Sequence, residues 1–200
     1  MIIGIVGYYA SGKDTAAHIL EEKGFAHFSL SDMIREEVRK EGREITREYL
    51  IEKGNALRKE FGPSVLADKA LEYIEAREKE EKEKEAKKGG EGKKNFIITS
   101  IRNPFEVKSL RRRRDFVLVF IDAEIRTRFE RMLPRARESD PKTYEQFLEF
   151  EDRERKSNDP TKQSIDDCVR LADKKIENNG DEQDFRGEIE RLLAELRSSA

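Results

Sequence analysis

The chain has 200 residues, 42 % of them charged, and its 41 basic and 43 acidic side chains nearly cancel to a formal charge of −2. A charged share far above the roughly 25 % of ordinary globular proteins, but balanced in sign, excludes a general nucleic-acid footprint and leaves only local basic clusters. A single cysteine, Cys168, excludes an internal disulfide, and no apolar run approaches the roughly 18 residues of a membrane span.

Two hundred residues suit one domain with a substantial core. The N-terminus enters a strand pattern at once, which leaves no room for the charged and apolar regions of a signal peptide, so a cytoplasmic protein is expected.

The first element is the apolar run Ile2 to Val6. Gly7-Tyr8-Tyr9-Ala10-Ser11-Gly12-Lys13-Asp14-Thr15 follows, and a helical pattern over 12–23 carries Ala16, Ile19 and Leu20. Strand, glycine loop and helix is the order that a phosphate-binding loop requires. The glycines let successive N–H groups converge on phosphate oxygens, the helix N-terminus adds partial positive charge, and the lysine reaches the terminal phosphates. Gly7, Ala10, Ser11, Gly12, Lys13, Asp14 and Thr15 are therefore the expected contacts of a nucleoside triphosphate. Asp14 stands where a Ser or Thr normally touches magnesium, and Thr15 follows one place later. Thr15 is the candidate metal contact, while Asp14 is either a second candidate or a first-turn acid favoured by the helix dipole.

A second strand is expected over 25–30, then a helix over 32–41 capped by Ser31 or Asp32, and another over 46–60 capped by Thr46. Gly42 and Gly62 mark stops. A helix from Ser64 runs into the Glu/Lys-rich stretch 77–94, which reads as a solvated extension fraying into a loop at Gly89, Gly90 and Gly92. A strand over 96–99, a helix over 104–112 and a strand over 116–121 come next, with Arg111 to Arg114 as a solvated helix end. Helices over 125–133, 144–155 and 164–171, a weak strand around 175–177 and a helix over 181–196 complete the chain. Strands apolar on both faces, alternating with amphipathic helices, predict a doubly wound α/β domain: a five-stranded parallel sheet with helices on both faces.

In such a sheet the chemistry belongs at the carboxyl ends of the strands. After the second strand stand Asp32, most simply a helix cap, and Arg35, a surface charge one turn later. Arg58 by itself reads as a helix-surface arginine. Arg102, before a helix started by Pro104, is poorly explained by packing and is read as a phosphate ligand. Asp122 follows the fourth strand and most simply caps the next helix. Arg128, Arg131 and Arg135 fall at helical spacing before Pro134 hands Arg135 and Arg137 to a loop. Asn179-Gly180 is a turn. His18, His27 and Cys168 have no partner at useful spacing, and no zinc-ligand cluster is present.

From end to end, the loop, Ser-x-Ser-Asp-x-Ile-Arg (29–35), Gly-Arg-x-x-Thr (42–46), Gly-Asn-x-Leu-Arg (54–58), Ser-Ile-Arg-Asn-Pro-x-Glu-Val (100–107), Arg-Phe-Glu-Arg (128–131) and Asn-Asn-Gly (178–180) follow one order. That order resembles the P-loop nucleoside monophosphate kinase-like family: the adenylate kinase and dephospho-coenzyme A kinase group, with uncharacterised archaeal nucleotide kinases and kinase-like domains fused to some deoxycytidylate deaminases. The resemblance implies a single kinase domain over 1–200, with an acceptor-binding helical insertion at about 32–75, a flexible charged segment at about 77–94 and a short arginine lid at about 126–141. It implies an ATP- and magnesium-dependent kinase that phosphorylates a small phosphate-bearing acceptor, a (deoxy)nucleoside monophosphate or dephospho-coenzyme A, with no nucleic acid or membrane partner. By the same resemblance Lys13, Arg102, Arg131, Arg135, Arg137 and Asp32 serve catalysis, Arg35, Arg58 and Arg102 face the acceptor, and the turn at Asn179 lies beside the donor's adenine. Related kinases carry an aspartate three residues before the arginine that corresponds to Arg102; here that place is held by Thr99. A nucleotide-binding regulatory module without turnover is the alternative, and the missing acid is its support. The sequence sets no oligomeric state.

Overall fold

Five short apolar runs form one parallel sheet in a computed structural model of the chain, which describes residues 1–86, 95–135 and 141–198. The strands are β1 (Ile2–Val6), β2 (Ala26–Ser29), β3 (Phe96–Thr99), β4 (Phe116–Asp122) and β5 (Lys174–Glu177), in the order β2-β3-β1-β4-β5. β1 lies at the centre, with Ile2 in register with Phe96 of β3 and with Phe116 of β4. Every residue of β1 is buried, as a central strand covered on both faces requires. Gly4 makes room there: a Cβ at this position would lie 2.7 Å from the Phe116 ring.

The two faces of β1 divide the core. Ile3 and Ile5 pack with α1 (Lys13–Glu22) and the C-terminal helix α9 (Glu182–Ser198) through Ile19, Leu20, Ile189 and Leu193. Ile2 and Val6 face the other layer, built from α2 (Leu30–Lys40), α3 (Arg47–Phe61), α4 (Val65–Ala86), α5 (Pro104–Leu110) and α8 (Ile165–Arg170). Each fully buried Ile or Leu stabilises the fold by about 1.5–3 kcal/mol relative to exposure. α6 (Ile125–Met132), a 3₁₀ turn at Leu133–Arg135 and α7 (Tyr144–Arg155) form a third group, in which Met132 and Phe147 pack on Ala10 of the phosphate loop. Among the described residues no helix is long and apolar enough to cross a membrane.

Thr46 caps α3, accepting from the Tyr49 N–H at 3.2 Å, and Gly62 ends that helix at φ +100°. α2 departs from expectation. It begins at Leu30 with Ser29 at the cap, because Asp32 lies within the first turn and is taken by Arg35. The Ser29 hydroxyl makes no capping bond; it joins a hydroxyl cluster described below. Arg111, Arg112 and Arg113 are not simply solvated either. They pair with Asp173, Asp68, and Glu78 together with Asp115, respectively, tying the end of α5 to the sheet edge and to α4. Residues 87–94 of the charged segment and 136–140 of the expected lid, Arg137 among them, lie outside the described residues, as does the side chain of Arg135.

Candidate active site

The loop between β1 and α1 is built around two glycines that admit no side chain. At Gly7 a Cβ would collide with the Ile121 carbonyl and lie 2.7 Å from Ser11 Oγ. At Gly12 the backbone is left-handed, φ +101°, and a Cβ would collide with the Asn178 side-chain amide. Asn178 is buried in the turn after β5 and donates to the Ser11 carbonyl at 3.0 Å, so the last strand braces the loop. The family resemblance singled out the neighbouring Asn179, which is exposed and whose Oδ1 accepts from the Glu124 N–H at the start of α6. Lys13 Nζ donates to the Tyr8 carbonyl at 2.6 Å. Ser11 Oγ is fully buried and has no hydrogen-bond partner among the described residues, an unfavourable state that a bound ligand or water would relieve.

From this loop a cleft of about 490 Å³ extends toward α2 and α3. Its lining takes Ser11, Gly12, Lys13 and Asp14 from the loop, Arg35 from α2, Arg47 from α3 and Arg102 from the segment after β3. Ser29, Ser31 and Ser100 line the cleft where β2 and β3 end, their hydroxyls linked at 2.9, 3.0 and 3.2 Å. Ser100 has φ +62°, a backbone conformation uncommon outside glycine. His27 also lines the cleft, its ring nitrogens bonded to Thr99 Oγ1 at 2.8 Å and Glu21 at 3.1 Å. Ile34, Ile45, Leu50 and Ile51 supply an apolar wall.

The arginines of the cleft differ in their commitments. Arg35 donates to Ser31 Oγ at 2.6 Å and to Asp32 at 2.9 Å, while Asp32 itself is 69 % exposed. Arg102 reaches Gln163 at 3.1 Å and is partly exposed in the cleft. Arg58 also borders the cleft, but its Nε and Nη2 donate to Glu106 Oε1 at 3.0 and 2.8 Å, and both residues are buried. Its charge is therefore matched within the protein. The second oxygen of Glu106 accepts the N–H groups of Arg102 and Asn103 at 2.9 and 3.1 Å, so the Arg58–Glu106 pair fixes the backbone that carries Arg102. Arg47 was not singled out by the sequence. It lies over the rings of Tyr9 and Phe150, with ring-centroid distances of 5.1 and 4.2 Å, and joins α3 to α7 beside the loop.

α6 and α7 are fastened to the loop by buried polar contacts. Buried Arg128 makes a two-pronged ion pair with Glu151 of α7, and also donates to the carbonyls of Ala123 and Tyr9. The Tyr8 ring lies 5.2 and 5.1 Å from the guanidinium carbons of Arg128 and Arg155, and its hydroxyl donates to buried Asp166 at 3.1 Å. Burial, then that hydrogen bond, push the Tyr8 phenol above its ordinary value. Arg131 does not line the cleft. It donates to the carbonyls of Asn178 and Gly180 at 2.6 and 2.8 Å, and burial pushes its pKa down. Thr15 is likewise partly buried and absent from the cleft lining, whereas exposed Asp14 belongs to it. Asp122 is turned to Lys175, 3.0 Å away, and to the Ala123 N–H.

A family profile described as an AAA domain matches residues 3–159. The chain is 30 % identical over 199 residues to a UPF0200 protein of Thermococcus kodakarensis, covering 98 % of each chain. It is 31 % identical over 196 residues to a UPF0200 protein of Methanocaldococcus jannaschii, covering 98 % of this chain and 90 % of that one. Among solved structures, the shikimate kinase of Acinetobacter baumannii in complex with shikimate matches with a TM-score of 0.56 at 16 % identity, over 99 % of this chain and 93 % of that one. At such identity the likeness is one of fold.

Proposed function

The chain belongs to the AAA domain family and to the UPF0200 proteins, has the fold of a P-loop kinase, and from that premise we propose that it is an ATP-dependent phosphotransferase of the cytoplasm. Its acceptor is a small phosphate-bearing molecule, first a ribo- or deoxynucleoside monophosphate and second dephospho-coenzyme A. One observation carries the proposal: the same cleft takes in the phosphate loop, Arg35 of α2 and Arg102 just after β3. Phosphoryl transfer asks for little more than alignment and positive charge along the path of the migrating group.

Donor binding is supported by the two glycine positions and by the unpartnered Ser11 hydroxyl, which a phosphate oxygen would satisfy. Lys13 would exchange the Tyr8 carbonyl for the terminal phosphates. Magnesium, when bound with the nucleotide, neutralises charge on the β- and γ-phosphates. Asp14, a carboxylate in the cleft beside Lys13, fits such a cation. Arg35 and Arg102 would hold the acceptor's phosphate, and the wall of Ile34, Leu50 and Ile51 would take an apolar or planar face. Clamping of α6 and α7 by Arg128 and Tyr8 would keep water from the loop.

A monophosphate acceptor presents an oxygen that is already anionic, whereas a hydroxyl acceptor calls for a base. Asp32 is turned to Arg35 and to solvent, which favours the monophosphate. The second reading, a nucleotide sensor without turnover, is favoured by β3 ending in Thr99-Ser100 with no acid. ADP formation from ATP and magnesium, measured against ribo- and deoxynucleoside monophosphates and dephospho-coenzyme A with Lys13→Ala as control, separates the two. One acceptor should raise turnover well above the basal rate. Nucleotide binding with no acceptor-dependent ADP would hand the case to the sensor.

A further inference from the structure

We propose that Asp14 is the acid that holds the divalent cation of the bound nucleotide, a role moved from the end of β3 to the first turn of α1. The inference rests on the phosphotransferase reading above. It starts from the acids near the carboxyl end of the sheet. Asp32 is paired with Arg35 at 2.9 Å, Asp122 with Lys175 at 3.0 Å, and Glu106 with Arg58 at 2.8 Å. Asp166 accepts from Tyr8 and Arg155, both at 3.1 Å. β3 itself ends in Thr99-Ser100, and the Ser100 hydroxyl is engaged by Ser29 and Ser31. Asp14 differs from all of these. It is exposed, lines the cleft directly after Lys13, and makes no side-chain hydrogen bond or ion pair among the described residues.

A bare carboxylate in a phosphate-binding cleft is unfavourable by itself, since it repels the triphosphate that the loop amides and Lys13 attract. A cation between the two reverses the sign. Magnesium is commonly held by one or two carboxylates together with substrate phosphates and retained waters, so one free acid at this place is sufficient protein ligation. The helix dipole also favours a first-turn acid, but it acts equally on any side chain of the turn and does not explain why this one borders the cleft. A separate observation points to a ligand at the same loop: Ser11, three residues before Asp14, belongs to the cleft lining, and its buried Oγ has no partner among the described residues. Thr15, the contact suggested by spacing, is partly buried and does not border the cleft.

The test is binding of a non-hydrolysable ATP analogue to the full chain, titrated calorimetrically in EDTA and in magnesium, with manganese replacing magnesium for electron paramagnetic resonance of the bound ion. The wild-type protein should bind the metal complex at least about tenfold more tightly than the free nucleotide. Asp14→Asn should erase that difference from both sides, binding metal-free nucleotide as well as or better than wild type and shifting the manganese spectrum to that of the nucleotide complex free in solution. Asp14→Ser should restore part of the metal dependence, and Thr15→Val should keep all of it. Wild-type metal dependence in Asp14→Asn, or its loss in Thr15→Val, overturns the assignment. So does a wild-type protein that binds free and metal-complexed nucleotide equally, an outcome that leaves the phosphotransferase reading to its own assay. Absence of nucleotide binding under any condition removes both.

Discussion

Replacing Glu106 by glutamine probes how the arginine at the end of β3 is held. Glu106 has no exposed surface; Oε1 accepts from Arg58 Nε and Nη2 at 3.0 and 2.8 Å, and Oε2 accepts from the N–H groups of Arg102 and Asn103 at 2.9 and 3.1 Å. Glutamine keeps the shape but removes the charge and sets an NH₂ group against donors on one side. Arg58, 2 % exposed, then becomes a buried cation without its counter-charge. Removing one partner of a buried pair costs about 3–5 kcal/mol. At about 2–4 °C per kcal/mol for a chain of this size, the melting temperature should fall by roughly 6–20 °C. The double variant Arg58→Met, Glu106→Gln removes both charges while the glutamine carbonyl still serves the two backbone N–H groups, so it should recover to within about 1–2 kcal/mol of wild type. Denaturant unfolding followed by circular dichroism gives all four corners of the cycle. A single variant within about 1 kcal/mol of wild type, or a double variant no better than the single, would refute the reasoning.

Gly12→Ala should weaken ATP binding by at least about tenfold, because the left-handed backbone and the Asn178 amide both oppose a Cβ; calorimetry showing wild-type affinity would count against the described loop. Arg35→Met should raise the acceptor KM by about 10–100-fold, the worth of a charged hydrogen bond, and leave the ATP KM within about twofold; equal change in both would remove Arg35 from the acceptor end. Burial pushes the Asp68 pKa up, but hydrogen bonds from Ser109 and Ser64 at 2.6 and 2.7 Å and the nearby Arg112 outweigh it and hold the group below its ordinary value of about 3.9. A depressed folded pKa gives stability that is present above the unfolded value and lost as pH falls through the folded one. Asp68→Asn should therefore lower the melting temperature at about pH 7, with the gap closing below about pH 4; a gap constant across that range would contradict the assignment.

The strands, the loop and their order could be read from the chain because each rests on local pattern. Ile2 to Val6 is apolar on both faces, and the glycines at 7 and 12 have a backbone reason that spacing reveals. The arginines could not be sorted in this way. Arg58, Arg128 and Arg131 look alike in sequence, and their fates are set by groups 48, 23 and 47 residues away: Glu106, Glu151 and the Asn178 carbonyl. The start of α2 was open for a related reason, since Ser29, Ser31 and Asp32 are all competent caps and the Ser29 and Ser31 hydroxyls are engaged with Ser100, which follows β3 about 70 residues on. Asn178 and Asn179 are adjacent and chemically identical; only the approach of the loop decides which one braces it. Tyr8 and Tyr9 did carry a usable signal. Two bulky aromatics inside a phosphate loop imply packing partners, which prove to be Phe120 for Tyr8 and Phe147 and Phe150 for Tyr9.

The most direct measurement is the fate of the label from γ-labelled ATP in a rapid-quench experiment with each acceptor. The account predicts label on one phosphate-bearing acceptor, at a rate that Lys13→Ala lowers by at least about a hundredfold. Label that stays on ATP, or passes to water at the same rate whatever acceptor is present, would contradict it.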